Sequence, residues 1–456
     1  MRARALALVA IGACLGSACV SDERVDASRR NVIVIVTDDQ SYESVPRPVP
    51  VMPFLQARIL DPADDWVVFP NAFVNTPLCC PSRATLLTGR YPHHTGVVDN
   101  EDGAALDEGS TIAAWLDAAG YHTGLVGKYL NGYPFGRGPF IPQGWDRWWG
   151  KQQGPATSVY RDYTLIVQGV PEDHGASEAD YLTDVLADAA AGFIREAPPD
   201  EPFFLWFAPT APHPEWVSAA RHEGTFEDLP VPARPSLGEP DVSDKPAWVR
   251  ALPPMGAEER EEMREARRDA YETLLAVDDA VREILGAVRD RGESQETVVV
   301  IVSDNGFAFG EHRWVRKGCP YDECVRVPLF IRVPGAGHRT EPSLVSAVDL
   351  APTIAELTGA TPGGGLDGVS LAPLLLEGSR DGLSGEVFME SVGDERIPAW
   401  RGLRTRLFAY VELATGEREL YDLRRDPFQL VNVISDPGYA TQVERLEGAL
   451  DAYGDA

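Results

Sequence analysis

Short uninterrupted apolar runs along the chain give way to longer stretches with helical spacing. Residues 31–36 read Asn-Val-Ile-Val-Ile-Val and residues 297–302 read Thr-Val-Val-Val-Ile-Val. β-Branched runs of this kind fit central strands buried on both faces. Residues 121–126 and 202–207 are two further strand candidates. Residues 110–119 read as a helix, with Ser110 as N-cap and Gly120 as stop. Residues 177–196 place Leu182, Val185, Leu186, Ala189 and Phe193 on one helical face. Residues 258–290 form a long helix, charged early and amphipathic late through Leu274, Val281, Ile284, Leu285 and Val288. Strands alternating with helices predict an α/β fold: a mostly parallel central sheet with helices on both faces. After a Gly- and Pro-rich loop at 359–368, residues 387–412 and 419–423 read as short antiparallel strands, and 439–453 as a final helix. The expected organisation is a main domain over 30–380 and a small C-terminal α+β subdomain over 381–456.

The first nineteen residues have a different logic. Arg2 and Arg4 precede an apolar run, Ala5 to Leu15, and the small residues Gly16-Ser17-Ala18. This is the layout of a signal peptide over 1–19, so export is expected. Cys19 after Gly-Ser-Ala, or Cys14 after Ile-Gly-Ala, offers a lipid acceptor and a membrane tether. The expected location is periplasmic, extracellular or lipid-anchored. Past this segment no run approaches the length of a membrane helix. Four cysteines remain. An oxidising compartment permits Cys319 and Cys324 to pair, whereas the adjacent Cys79 and Cys80 are poorly placed to bridge each other.

The 456 residues carry 70 Asp and Glu against 41 Lys and Arg, a net charge of −29. Such a field argues against nucleic acid as a partner. Most of it is a solvated acidic surface. An anionic substrate then requires a locally positive pocket, which draws attention to the few basic residues near acidic ones.

Residues 79–90 read Cys-Cys-Pro-Ser-Arg-Ala-Thr-Leu-Leu-Thr-Gly-Arg. A small nucleophile stands just before a helix start, with Pro81 suited to the first helical position. A helix N-terminus presents free amides to an anion, and Arg83 adds a charged fork. On these grounds alone a cysteine here is a candidate low-pKa thiolate. Asp38-Asp39 and Asp304-Asn305 each follow a buried strand run, where open α/β sheets build their sites. Three carboxylates and an amide are hard oxygen ligands suited to Ca²⁺ or Mg²⁺. Taken alone, Asp-Asn-Gly is an ordinary turn and Asp-Asp a helix cap.

The 79–90 stretch resembles the signature of the type I, formylglycine-dependent sulfatases of the alkaline-phosphatase-like superfamily. The resemblance runs from Asn31 to about Asn432. It implies that Cys79 is oxidised to formylglycine by a formylglycine-generating enzyme that reads Cys-x-Pro-x-Arg. It further implies that Asp38, Asp39, Asp304 and Asn305, with residue 79, hold one Ca²⁺. Lys128 in Gly-Lys-Tyr, His213 in Ala-Pro-His-Pro, and Lys317 before Tyr321-Asp322-Glu323 resemble the family's substrate-contacting residues. Each alone would pass for a surface lysine or a loop histidine. Many sulfatases place a histidine shortly after the first lysine, where this chain has Leu130 and Asn131. The Lys-Tyr-Leu-Asn run is similar to the N-acetylglucosamine-6-sulfatase and extracellular endosulfatase branch, as is Tyr91-Pro92-His93-His94. Asn131 then takes over hydrogen bonding to the nucleophile, and His94 either faces substrate or belongs to a loop. The implied activity is hydrolysis of a sulfate ester on a sulfated carbohydrate. The competing readings are a formylglycine-dependent phosphodiesterase or phosphonate monoester hydrolase, and an inactive glycan-binding lipoprotein.

Overall fold

The computed structural model describes residues 30–45, 49–154, 158–230 and 234–454. The signal segment 1–19, with Cys14 and Cys19, lies outside the described residues. Ten strands form the main sheet: β1 (Asn31–Thr37), β2 (Trp66–Val68), β3 (His122–Gly127), β4 (Arg147–Lys151), β5 (Tyr163–Val167), β6 (Val170–His174), β7 (Phe203–Ala208), β8 (Thr297–Ser303), β9 (Leu329–Arg332) and β10 (Arg339–Thr340). Their spatial order is β10-β2-β9-β8-β1-β7-β3-β4-β5-β6. The five central strands, β8 to β4, are all parallel. Antiparallel strands flank them, β9 on one side and β5 on the other, and β6 pairs antiparallel with β5 at the edge. The edge strand β6, Val-Pro-Glu-Asp-His, has no buried residue and carries a proline, as an exposed edge tolerates.

The β-branched runs explain the layering. Val32, Val34 and Val36 of β1 share one core with Leu86, Ile112, Leu116 and Ile354. Ile33 and Ile35 share the opposite core with Leu186, Phe193, Leu274, Val277 and Ile284. Each such side chain contributes roughly 1.5–3 kcal/mol when fully buried. The first face is covered by helices α1 (Cys79–Thr88), α2 (Ile112–Ala118) and later α5 (Leu350–Thr358). The second face is covered by α3 (Leu182–Glu196) and the long α4 (Ala257–Asp290). Among the described residues no helix is long and apolar enough to cross a membrane.

Several boundaries differ from the sequence reading. Thr111, not Ser110, caps α2: its Oγ1 accepts from Ala114 N at 3.4 Å. Ser110 instead closes a 3₁₀ turn, Glu108–Ser110. α3 starts only at Leu182, because Ser177 bonds Asp180 and fixes the preceding residues in another 3₁₀ turn.

Strands β11 (Glu386–Ser391), β12 (Trp400–Thr405), β13 (Phe408–Leu413) and β14 (Arg418–Asp422) form a separate antiparallel meander. Helix α6 (Ala440–Leu450) covers one face through Val443, Leu446 and Leu450, against Phe388, Leu403 and Leu420. The other face, with Val387, Met389, Val411 and Tyr421, merges into the main core.

Candidate active site

Parallel pairing brings the sequence-predicted residues together. Thr37 of β1 is in register with Ser303 of β8, so the residues that follow, Asp38-Asp39 and Asp304-Asn305, emerge side by side. Asp304 N donates to Thr37 O at 3.0 Å, and Asp39 N to Asp304 Oδ1 at 3.1 Å. β3 and β7, on the other side of β1, deliver Lys128 and the loop with His213 at the same rim. Two glycines make this crossing of chains feasible. A Cβ on Gly127 (φ +116°) would lie 2.1 Å from Ala208 O, and one on Gly306 2.2 Å from Glu323 O. Asp39 itself sits at φ 68°, a left-handed conformation that costs a non-glycine residue energy and aims its carboxylate.

Cys79 opens α1, with no side chain capping that N-terminus; Pro81 is the third residue of the helix rather than the first. Cys79 Sγ lies 3.1 Å from Asp38 Oδ1 and 2.7 Å from Lys317 Nζ. Lys128 Nζ pairs with Asp38 Oδ2 at 2.6 Å, and Lys317 Nζ with Asp39 Oδ1 at 2.7 Å. His213 Nε2 is 3.8 Å from Asp39 Oδ2, and its Nδ1 is 3.1 Å from Pro214 O. A carbonyl only accepts, so Nδ1 carries the proton in the neutral ring.

Arg83 does not do what the sequence suggested. It is fully buried, donating from Nε to Asp304 Oδ2 at 2.7 Å and to the Lys128 carbonyl at 2.8 Å. It braces Asp304 and the Lys128 loop from behind instead of reaching into the pocket. The low-pKa thiolate is also overturned. Burial pushes the Cys79 thiol well above its ordinary value, with Asp38 adding to the shift; Lys128 and Lys317 only partly oppose this. Asn131 has its backbone against Cys80, and its buried Oδ1 finds no hydrogen-bond partner. His94 lies in a one-turn helix, Pro92–Thr95, where it is half exposed and its Nδ1 is 2.8 Å from Asp367; it does not line the pocket.

The carboxylates are unequal. Burial raises Asp38, but the Lys128, Arg83 and Lys317 cations outweigh it and hold the carboxyl well below the usual range. Burial and the neighbouring Asp38 charge raise Asp304. Burial lowers His213 against the pull of Asp38 and Asp39, favouring the neutral ring.

These groups fit a hard cation. Ligand atoms of Asp38, Asp39, Asp304 and Cys79 all lie within 4.8 Å of one another. Asp39 Oδ2 and Asn305 Oδ1 are buried without a hydrogen-bond partner. Two orphaned oxygens in a nest of carboxylates are what an oxygen-coordinated divalent ion would satisfy.

In front lies a pocket of about 590 Å³, with Asp39, His213 and Lys317 on its wall. Sequence reasoning missed the rest of that wall: Trp216, Phe307, Asp99, Asn100, Arg316 and Asp394 among others. The Trp216 ring packs 5.9 Å from Phe307 and 5.6 Å from Phe309, making an aromatic side to the pocket. Glu215 and Trp216 both have positive φ, 101° and 39°, which no sequence pattern announces. The acidic 223–244 stretch, largely exposed where it is described, lies on the surface and contributes nothing to the pocket wall. Ser236 and Glu239 brace the turn before Lys317: His312 N donates to Ser236 O at 2.8 Å, and His312 Nδ1 lies 2.7 Å from Glu239. The Cys319–Cys324 disulfide, with Cα atoms 5.7 Å apart, closes the far side of the Lys317 loop.

A nucleophile at a helix start, a buried and a partly buried lysine and a carboxylate nest define a hydrolase for esters of tetrahedral oxyanions. The family model described as Sulfatase matches residues 30–360, and that described as N-sulphoglucosamine sulphohydrolase, C-terminal, matches residues 310–455. The chain belongs to the sulfatase family and is a sulfuric ester hydrolase. It is 33% identical over 408 residues to the N-acetylglucosamine-6-sulfatase of Homo sapiens, covering 86% of this chain and 72% of that protein. It is 25% identical over 506 residues to the N-acetylglucosamine-6-O-sulfatase of Bacteroides thetaiotaomicron, covering 95% and 88%. A solved structure in complex with its substrate D-glucosamine-2-N,6-O-disulfate superposes with a TM-score of 0.80 at 25% identity, covering 93% of this chain and 97% of that one. The phosphonate monoester hydrolase of Agrobacterium radiobacter, at 24% identity, TM-score 0.75 and 93% and 95% coverage, shares the fold.

Proposed function

We propose that this protein removes the 6-O-sulfate from N-acetylglucosamine in a glycan, using formylglycine at position 79 and Ca²⁺. The observation that carries the reading is the position of Cys79 Sγ, between Lys317 Nζ and Asp38 within the acidic nest. The substrate class follows the relatives named above.

Asp38, Asp39, Asp304 and Asn305 hold the cation, which when bound supplies positive charge beside the nucleophile and the sulfate oxygens. The modification supplies two hydroxyls on one carbon, one to attack sulfur and one to expel sulfate. Every other task falls to ordinary side chains. Lys317 and Lys128 stand on two sides of position 79 and stabilise charge on the sulfate oxygens. Arg83 fixes Asp304 and the Lys128 backbone. His213, partly exposed on the pocket wall, faces the leaving oxygen with Nε2, which bears a proton only in the imidazolium. Asn131, expected to hydrogen-bond the nucleophile, meets the start of α1 through its backbone at Cys80. Export belongs to the same reading: the disulfide supports an oxidising compartment, and a lipid on Cys19 or Cys14 would tether the chain.

Two measurements on protein purified from its native host test this. The tryptic peptide around Cys79 should be about 18 Da lighter than its thiol form. Turnover of N-acetylglucosamine-6-sulfate should exceed that of a phosphate diester. An unmodified thiol in active protein, or preference for the diester, sinks the proposal.

A further inference from the structure

A second cavity, of about 480 Å³, adjoins the active pocket. Small-molecule sites span roughly 300–1,000 Å³, so each space alone is large enough for a sugar. The walls pass from one cavity to the other within single residue steps. Val98 lines the second cavity and Asp99 the first. Ser391 lines both, with Val392 facing the second and Gly393 the first. The main domain supplies one side through Thr76 and His93, and the C-terminal meander supplies the other through Glu390, Trp400 and Arg401.

The lining is built for polar contact without net attraction for an anion. His93 Nδ1 lies 2.7 Å from Glu390, and Arg401 pairs with Glu412 at 3.1 Å and Asp451 at 2.9 Å. Each basic side chain named on this wall, His93 and Arg401, thus already has a carboxylate partner. Thr76, 1% exposed and three residues before Cys79, keeps a buried Oγ1 with no hydrogen-bond partner. Apolar Val98, Trp400 and Leu413 complete the surface. Apolar patches interleaved with hydroxyl-scale donors and acceptors suit the faces and edges of a pyranose. A uronate or a second sulfate would bring charge against walls whose cations are already paired.

Resting on the N-acetylglucosamine-6-sulfate reading, we propose that this cavity is a subsite for the next sugar of the glycan, and that this sugar is a neutral hexose or N-acetylhexosamine. The sulfated residue occupies the active pocket, and the sugar on its anomeric carbon occupies the second cavity.

The test uses the full matured protein and three substrates: N-acetylglucosamine-6-sulfate alone, and the same sugar carrying galactose or glucuronate on its anomeric carbon. The galactose disaccharide should show kcat/KM about tenfold above the monosaccharide, an extra 1.4 kcal/mol. Ala414→Trp, at an exposed position on the cavity rim, should erase that advantage and leave monosaccharide turnover unchanged. Thr76→Val should reduce the advantage severalfold, with aryl sulfate turnover reporting an intact fold in both variants. Equal rates on monosaccharide and galactose disaccharide, an advantage that survives Ala414→Trp, or preference for the glucuronate compound overturns the subsite alone. Turnover of aryl sulfate but of none of the sugars overturns the N-acetylglucosamine reading, and the subsite with it.

Discussion

Lys317 meets Cys79 across 238 residues of chain, its Nζ 2.7 Å from Sγ. The contact exists because the strained turn before Lys317 and the disulfide after it hold one lysine over one helix start. Burial would discharge this amine, but the Asp39 and Asp38 carboxylates outweigh that and raise its pKa well above the ordinary value. It is therefore a fixed cation at any working pH. Lys317→Ala should cut kcat by about 10²–10³, as for loss of one oxyanion donor, with an unchanged unfolding midpoint. Lys317→Arg should not rescue it, because a planar fork cannot occupy the place of a compact ammonium between thiol and carboxylate. Steady-state kinetics beside thermal melts decides this; a loss below threefold removes Lys317 from the mechanism.

The orphaned oxygens of Asp39 and Asn305 make metal binding readable without turnover. In a Cys79→Ala background, Ca²⁺ at a hundred times its Kd should stabilise the fold by about 2.7 kcal/mol, and a chelator should reverse this. Asp39→Asn should flatten the response. A melting temperature indifferent to calcium would speak against the ion.

Trp216 presents its ring at the pocket wall, held by its indole N–H to Pro212 O at 3.0 Å. Aromatic contacts of this kind contribute about 0.5–1.5 kcal/mol. Trp216→Ala should raise KM for a sugar sulfate about three- to tenfold and barely change kcat. Trp216→Phe should recover part of the loss. An equal fall in kcat would instead indicate a displaced His213 loop.

Lys151 ends β4 almost fully buried, and among the described residues its Nζ hydrogen-bonds the Gln152 carbonyl alone, at 3.4 Å. Burial, helped by the nearby Lys128 charge, lowers its pKa to about 8. The unfolded chain holds the proton up to its ordinary value near 10.5. Stability is therefore fully present above that value and is lost as pH falls toward 8. Lys151→Met should stabilise the protein at pH 7 by about 1–3 kcal/mol, and the gain should shrink as pH rises past 8. Denaturant titrations at pH 7 and pH 10 test the sign; a constant difference would refute it.

What could be read in the sequence was what is local. The β-branched runs at 31–36 and 297–302 announced buried parallel strands, and the acidic pairs that follow them converge because the strands lie in register. The boundary of α3 was not legible, because Ser177 and Asp180 satisfy each other in a turn that looks like helix start. Arg83 was visible but its direction was not. A guanidinium at a helix start serves an anion or braces a carboxylate according to which strand end lies behind it. The pocket wall was illegible for a stronger reason: Trp216, Phe307 and Asp394 are brought together only by tertiary packing.

The Cys79 thiol is 1% exposed, sealed beneath a lysine and two carboxylates. No second protein can grip that side chain in the finished fold. Any catalyst that alters it must work on the nascent strand, in a race against collapse of the sheet. If position 79 is converted as proposed above, a chain that folds before conversion would be well packed and inert. On that schedule residues 79–90 would be read as a linear peptide before residues 79–88 close into a buried helix.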